Sequence, residues 1–158
     1  QTLLKAFRLI NDEVPSRLLI LGEGPERPTL ERAIAETGLL DRVQLPGFVD
    51  RPWAWMAKSS LFVLSSSAEG SGNVLTEAMA VGIPVVSTDC PSGPNEMLDG
   101  GRIAPLVPIG DAAALAEACI GVLKTGIAPS LLEEAVAPFK AEVAARSYLA
   151  FMKVNAPF

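Results

Sequence analysis

Apolar residues recur along this chain at two alternating spacings, and the alternation predicts its architecture. Leu3, Leu4, Phe7 and Ile10 share one helical face, with Lys5, Arg8 and Asp12 outside it. Arg17 to Leu21 is a short apolar run that stops at Gly22, the form a buried parallel strand takes. Leu30, Ala33 and Ile34 mark a second amphipathic helix, with Gly38 placed as its C-cap. Val43 to Leu45 reads as a short strand halted by Pro46 and Gly47, and residues 52–58, with Trp53 and Met56, as a brief helix. Leu61 to Leu64 is a further buried strand, followed by a serine-rich loop. Val74, Leu75, Ala78 and Met79 then line the inner face of a helix that ends near Gly82. Val85 to Thr88 is the next strand, and Ile103 to Val107 a weaker one interrupted by Pro105. Asp111 is a good N-cap for a helix through Leu123, with Leu115, Cys119 and Val122 inward, and two more helices are predicted at 130–137 and 140–153.

Strands separated by helices predict a Rossmann-like α/β fold with a mainly parallel sheet flanked by helices. Sheets of that kind place ligands at the carboxyl ends of their strands. There is no internal repeat and no low-complexity linker.

Composition narrows the chemistry. The 158 residues are enough for one domain with its own core. With 49% hydrophobic and 20% charged residues, the chain lies far from the disordered class. Thirteen Lys and Arg against eighteen Asp and Glu give a net charge of −5, the wrong sign for a nonspecific nucleic-acid binder or a polybasic membrane module. Cys90 and Cys119 are too few for a disulfide framework or a thiolate metal site. Histidine is absent, which removes imidazole acid–base catalysis, Ser-His-Asp triads and His-ligated metals from within this chain. No apolar run approaches the ~18 residues of a membrane span, and the first residues do not look like a signal peptide. The expectation is a soluble, cytoplasmic domain.

One segment concentrates polar chemistry. The strand ending at Leu64 runs into a small-residue loop carrying Glu69, then Gly70, Ser71, Gly72 and Asn73, and on into a helix that carries Val74 and Glu77. The two glycines allow a ligand to approach the main chain closely. Free N–H groups and the positive dipole end of the helix favour a bound phosphate. Carboxylates aimed at that phosphate would repel it; they suit hydroxyl donors such as those of ribose or a hexose. Together this describes a site for a sugar joined to a phosphate. By residue type alone the same loop also reads as a turn and a cap, with Glu69 solvated and Glu77 complementing the helix dipole by about 0.3–1 kcal/mol.

The spacing of Glu69 and Glu77 resembles the Glu-x7-Glu motif of family 4 retaining glycosyltransferases with the GT-B fold. Leu18 to Pro25, Arg42 to Phe48, Gly82 to Asp89, and Cys90 to Glu96 followed by Pro108 to Asp111 fall in the order seen in the carboxyl-terminal domain of that family. The last pair of motifs is similar to a subset that transfers hexoses or N-acetylhexosamines in bacterial surface-glycan assembly. The resemblance implies that residues 1–139 form a nucleotide-sugar-binding domain and residues 140–158 a crossover helix and tail. It implies that Glu69 lies against hydroxyls of the donor sugar, that Glu77 accepts hydrogen bonds from the donor ribose, and that amides from Ser71 to Val74 hold the diphosphate. Gly22, Gly24, Gly47 and Phe48 would border the base and ribose. For these four, a tight turn or a rim aromatic is the alternative reading, and for Gly82 and Pro84 punctuation before a strand is preferred.

This chain also departs from the pattern. Ser71 stands where many relatives carry a bulky residue. The strand ending Gly-Arg and the following Lys-Gly, whose cations neutralise the diphosphate, are not found, and Gln1 to Lys5 resembles the interior of the first helix. The expectation is a piece of a larger enzyme, without the central strand of its sheet and without the amino-terminal domain that holds the acceptor. The implied activity is transfer of a hexose or N-acetylhexosamine from a nucleotide diphosphate sugar, UDP favoured, to a glycan or lipid-linked acceptor. Anomeric configuration is retained, no metal or other cofactor is used, and the isolated piece is inactive. Attachment to the inner face of the membrane is implied for the full-length protein only. Two other classes stay open on the sequence. A dinucleotide-binding oxidoreductase module would lack the third glycine after Gly22 and Gly24, and a non-catalytic interaction domain would have no use for an intact glutamate pair.

Overall fold

The computed structural model describes residues 1–152; the last residue of the helix expected at 140–153 and the rest of the expected tail lie outside the described residues. The chain alternates as predicted: α1 (Thr2–Glu13), β1 (Leu18–Leu21), α2 (Arg27–Glu36), β2 (Val43–Gly47), α3 (Pro52–Met56), β3 (Phe62–Leu64), α4 (Asn73–Ala80), β4 (Val85–Thr88), α5 (Pro94–Met97), β5 (Leu106–Val107), α6 (Ala112–Thr125), α7 (Pro129–Val136) and α8 (Ala141–Phe151). Every strand pair is parallel.

The strands do not form one sheet. β1 pairs with β2, and β3, β4 and β5 form a second sheet in that order. Among the described residues no ladder joins the two sheets. The division corrects two expectations about burial. β1 and β3 each have a partner on one side only, so Leu19 of β1 is exposed, and Phe62 and Val63 of β3 are half-buried. Only β4, flanked on both sides, is buried along its whole length.

The two sheets share one covering helix. Leu4 and Phe7 of α1 join Ile34, Leu39 and Val43 in a core over β1 and β2. Ala6 and Ile10 of the same helix join Val86, Val107, Leu115 and Cys119 in a core against the other sheet. A third core, built on Leu64, Leu75, Ala78, Val85 and Leu98, fills the space beneath α4 and α7. Cys119 is fully buried, and burial pushes its thiol up to about 12.

Local signals place most boundaries. Asp111 caps α6 by accepting from the Ala114 amide at 2.9 Å. Gly38 and Gly82, both at positive φ, end α2 and α4 through the paired bonds of the Schellman motif, Leu39 N–H to Ile34 O and Ile83 N–H to Ala78 O. β2 runs two residues further than predicted. Its ladder shifts register by one between Leu19 and Leu21, and this bulge absorbs Pro46, which has no N–H to give. β5 is shorter than predicted, reduced to Leu106 and Val107 beyond Pro105. The short helix α5, opened by Pro94, was not predicted. α8 carries no buried residue, and Tyr148 and Phe151 on it and Met152 at its C-cap are all exposed. No single helix among the described residues is long and apolar enough to cross a membrane.

Because α1 holds both sheets, Phe7→Ala should cost about 3–5 kcal/mol in denaturant unfolding. Amides of residues 18–21 and 43–47 should lose exchange protection before those of β4. Loss of protection in all strands together would contradict the account of separate cores.

Candidate functional site

The predicted glutamate segment lies where β3 ends and α4 begins. Thr88, at the end of β4 and 1% exposed, donates from Oγ1 to the carbonyl of Ser66 at 2.6 Å and lies 3.4 Å from that of Leu64. This fixes the path of the chain as it leaves the sheet. Ser66 in turn donates its hydroxyl to Oε1 of Glu69 at 2.5 Å, which turns that half-buried carboxylate. The backbone N–H of Glu69 reaches the Pro91 carbonyl at 3.4 Å, tying this loop to the one after β4.

The loop then passes exposed Gly70 and Ser71 to Gly72, the N-cap of α4, in a left-handed conformation with φ 65° and ψ 25°. Gly72 is buried, and a β-carbon on it would sit 3.6 Å from Cδ of Pro94. Its carbonyl accepts the Leu75 amide at 2.9 Å. The amides of Asn73 and Val74 have no acceptor within the helix. Because the cap is glycine, no side-chain oxygen competes for them. Glu77 is exposed one turn further along α4. The structure therefore brings Glu69, Gly70, Ser71, Gly72, Asn73, Val74 and Glu77 to one strand-to-helix junction, as their spacing predicts.

Gly22, Gly24 and Gly47 meet at the carboxyl ends of β1 and β2. The Gly22 N–H donates to the Gly47 carbonyl at 2.8 Å. Gly47 is buried at φ 82°, and a β-carbon there would lie 2.6 Å from Oε1 of Glu23. Arg27 holds that side of the turn, pairing with Glu23 at 2.6 Å and Glu31 at 2.9 Å and donating to the Leu45 carbonyl at 3.0 Å. Gly22, Gly24, Arg27 and Leu45 border a groove of about 200 Å³. Phe48 stands clear of it in solvent, 78% exposed, which leaves its ring face free to stack. A larger groove of about 380 Å³ lies between α1 and α2, away from all of these residues. Among the described residues no cluster of three or more Asp, Glu or Cys side chains is arranged to hold a metal ion.

Sequence reasoning gave Thr88 no role beyond its strand, and used the segment from Cys90 to Glu96 only as a motif of the resemblance, without placing its residues at the site. Thr88 reads as one more β-branched strand residue. The later segment carries a signal in Gly93-Pro94 followed by Glu96, a turn that opens a helix.

Comparison with known proteins bears on family and fold. A family model described as glycosyl transferases group 1 matches residues 1–125. The N-acetyl-alpha-D-glucosaminyl L-malate synthase of Bacillus anthracis is 36% identical over 124 residues, 78% of this chain and 32% of that protein. The lipopolysaccharide core biosynthesis glycosyltransferase LpsE of Rhizobium meliloti is 36% identical over 137 residues, 84% of this chain and 40% of that protein. Among solved structures, a variant of S. aureus TarM in complex with fondaparinux, alpha-GlcNAc-glycerol and UDP superposes with a TM-score of 0.84 at 21% identity. That match covers 98% of this chain and 32% of TarM. The chain spans 24% to 40% of the length of the first curated relatives it matches.

Thr88→Val removes the hydroxyl that ties the loop after β3 to the sheet and leaves the Ser66 carbonyl without that donor. The expected cost is about 1–3 kcal/mol in urea unfolding, with Thr88→Ser recovering most of it. Equal stability of the Val and wild-type proteins would show that this bond does not hold the junction.

Proposed function

From the premise that this chain belongs to the group 1 glycosyltransferases, we propose that it is the donor-binding half of a retaining GT-B enzyme. The enzyme moves a hexose or N-acetylhexosamine from a nucleotide diphosphate sugar to a glycan or lipid-linked acceptor. Membership disposes of the oxidoreductase alternative. The observation that carries the rest is the start of α4. Two unclaimed amides behind a glycine cap stand between a carboxylate turned by Ser66 and a second carboxylate one helical turn away.

In this reading the diphosphate sits on the amides of Asn73 and Val74, at the positive end of α4. Glu69 accepts from hydroxyls of the transferring sugar, and Glu77 from the ribose. Ser66 donates to one oxygen of Glu69, which fixes the carboxylate plane and leaves its other oxygen for the sugar. When the bond from the anomeric carbon to the leaving oxygen breaks, negative charge develops on the phosphate. Amides already aimed there stabilise it with little reorganisation. The base and ribose extend toward Gly22, Gly24 and Gly47, with Phe48 at the rim. No metal takes part in this reading. UDP is the first nucleotide to try, because it is the one held by the similarly folded TarM variant. The acceptor, and closure over the donor, belong to a second domain of the longer protein, which works in the cytoplasm, at the inner face of the membrane.

Two measurements test this. In the longest natural protein that carries this domain, Glu77→Ala should chiefly raise the donor KM and Glu69→Ala should chiefly lower kcat. If both variants keep kcat/KM within about twofold, a change of about 0.4 kcal/mol, the site assignment is wrong and a non-catalytic role gains ground.

The chain by itself should bind UDP weakly and transfer no sugar. Its phosphate site consists of amides without the two cations that the resemblance implies, and charge-assisted contacts contribute about 1.5–3 kcal/mol each. Their loss moves a ligand of micromolar Kd toward the millimolar range, about tenfold for each 1.4 kcal/mol. Calorimetry with UDP and GDP, beside a radiolabelled transfer assay, checks this. Submicromolar binding or measurable transfer would refute it.

A further inference from the structure

The amides of α4 are useful only if the residues before them take one path, and beyond Glu69 nothing within the loop enforces it. Gly70 has no atom within 4 Å of where its β-carbon would be, and Ser71 is exposed. The constraint comes from the neighbouring loop. A β-carbon on Gly93 would fall inside contact distance of the Ser71 carbonyl oxygen, 2.6 Å from the Ser71 carbonyl carbon and 3.2 Å from the Gly72 nitrogen. Backbone lies directly on backbone. Of the thirteen glycines, only Gly47 and Gly93 are this tight, and at Gly47 the obstacle is the movable end of the Glu23 side chain. At Gly93 it is main chain, which cannot step aside without taking the helix cap with it.

The Gly93 segment is itself held. Its φ of 113° and ψ of −61° lie where residues with a β-carbon are strained, and the preceding Ser92 adopts a left-handed φ of 67°. Glu96 accepts the Gly93 N–H on Oε2 at 3.0 Å, and the Gly93 carbonyl accepts from the Met97 N–H at 2.9 Å. Pro94, fully buried, packs against Gly72, and Met97 places its sulfur 3.6 Å from the Thr76 hydroxyl on α4. The segment thus meets the residue before the cap, the cap and the flank of the helix.

We propose that Gly93, held by the carboxylate of Glu96, is a positioning residue that sets the path of Ser71 and Gly72 and so aims the α4 amides at the donor diphosphate. This rests on the reading of α4 as the phosphate site. Glu96 acts through Gly93 and touches no substrate. The arrangement makes donor affinity depend on a residue one loop away, with no charge or hydrogen bond of its own offered to the nucleotide.

The test compares wild type, Gly93→Ala, Glu96→Ala and Glu96→Gln as the whole chain, by amide NMR spectra without ligand and on titration with UDP. Gly93→Ala should move the Ser71 to Val74 resonances in the ligand-free spectrum and weaken UDP by about tenfold, while strand amides stay in place. Glu96→Ala should act in the same direction. Glu96→Gln keeps an oxygen to accept from Gly93 and should return the affinity to within about twofold of wild type, a recovery that general destabilisation would not give. Unmoved Ser71 to Val74 resonances in Gly93→Ala, or unchanged UDP affinity against a wild type that binds, overturn the proposal. If wild type itself ignores UDP, the phosphate reading fails, and the ligand-free spectra still decide whether Gly93 sets the loop. Should Gly93→Ala not fold, the Glu96 pair decides, and equal affinities in Glu96→Ala and Glu96→Gln overturn the proposal.

Discussion

The whole arrangement depends on the burial of α1 on two sides. Four residues within two turns of one helix serve two separate cores, Leu4 and Phe7 toward β1 and β2, Ala6 and Ile10 toward β4, β5 and α6. Among the described residues no backbone ladder runs between the two sheets. Apolar contact has to join them instead. The small side chain at Ala6, fully buried, matters as much as the large one at Phe7, since it lets α1 lie close to α6. With α1 in place, β4 is packed on both faces and becomes the rigid floor from which the loops at its carboxyl end, and at that of β3, are built.

Those loops owe their order to main-chain economy. Where side chains are absent, at Gly72 and Gly93, two backbones approach until one dictates the other. Where a side chain is present, at Thr88 or Glu96, it spends its polar group on a backbone atom of a loop rather than on solvent. The polar residues bordering the junction are thus divided between those that hold it, Thr88, Ser66 and Glu96, and those left open to a ligand, above all Glu77. The proposed sugar-phosphate site would need this division, since hydroxyls and phosphate oxygens demand many partners in fixed places.

Much of this was legible in the sequence, because the controlling signals are local. Helical periodicity at Leu4, Phe7 and Ile10, glycines at 38 and 82 and the cap at Asp111 each act within a turn or two of themselves, and the elements they predict are found. The spacing from Glu69 to Glu77 was legible for the same reason, being a strand end, a loop and a helix start in sequence. What could not be read depends on contacts between distant segments. The exposure of Leu19 follows from which strand lies beside β1, and a four-residue apolar run carries no information about its neighbours. The extension of β2 through Pro46 needs a bulge that exists only against β1. Gly93 looks like any glycine before a proline until the Ser71 carbonyl is set against it.

Burial of Cys119 beneath α1 gives the molecule an internal clock. A thiol whose ionisation is pushed up to about 12 and which no solvent reaches will not react with an alkylating reagent in the closed state. It becomes reactive only when the core it shares with Ala6 and Ile10 of α1 opens. Where reclosing is faster than labelling, the rate at which label accumulates at this one sulfur, set against the rate for an unfolded peptide, gives the free energy of that opening. Cys90, 2% exposed just beyond β4, keeps a second and independent time at the loop end of the sheet. Two sulfurs placed in this way let opening of the core under α1 be timed separately from breathing of the loops beyond β4, in a protein that needs no engineered probe.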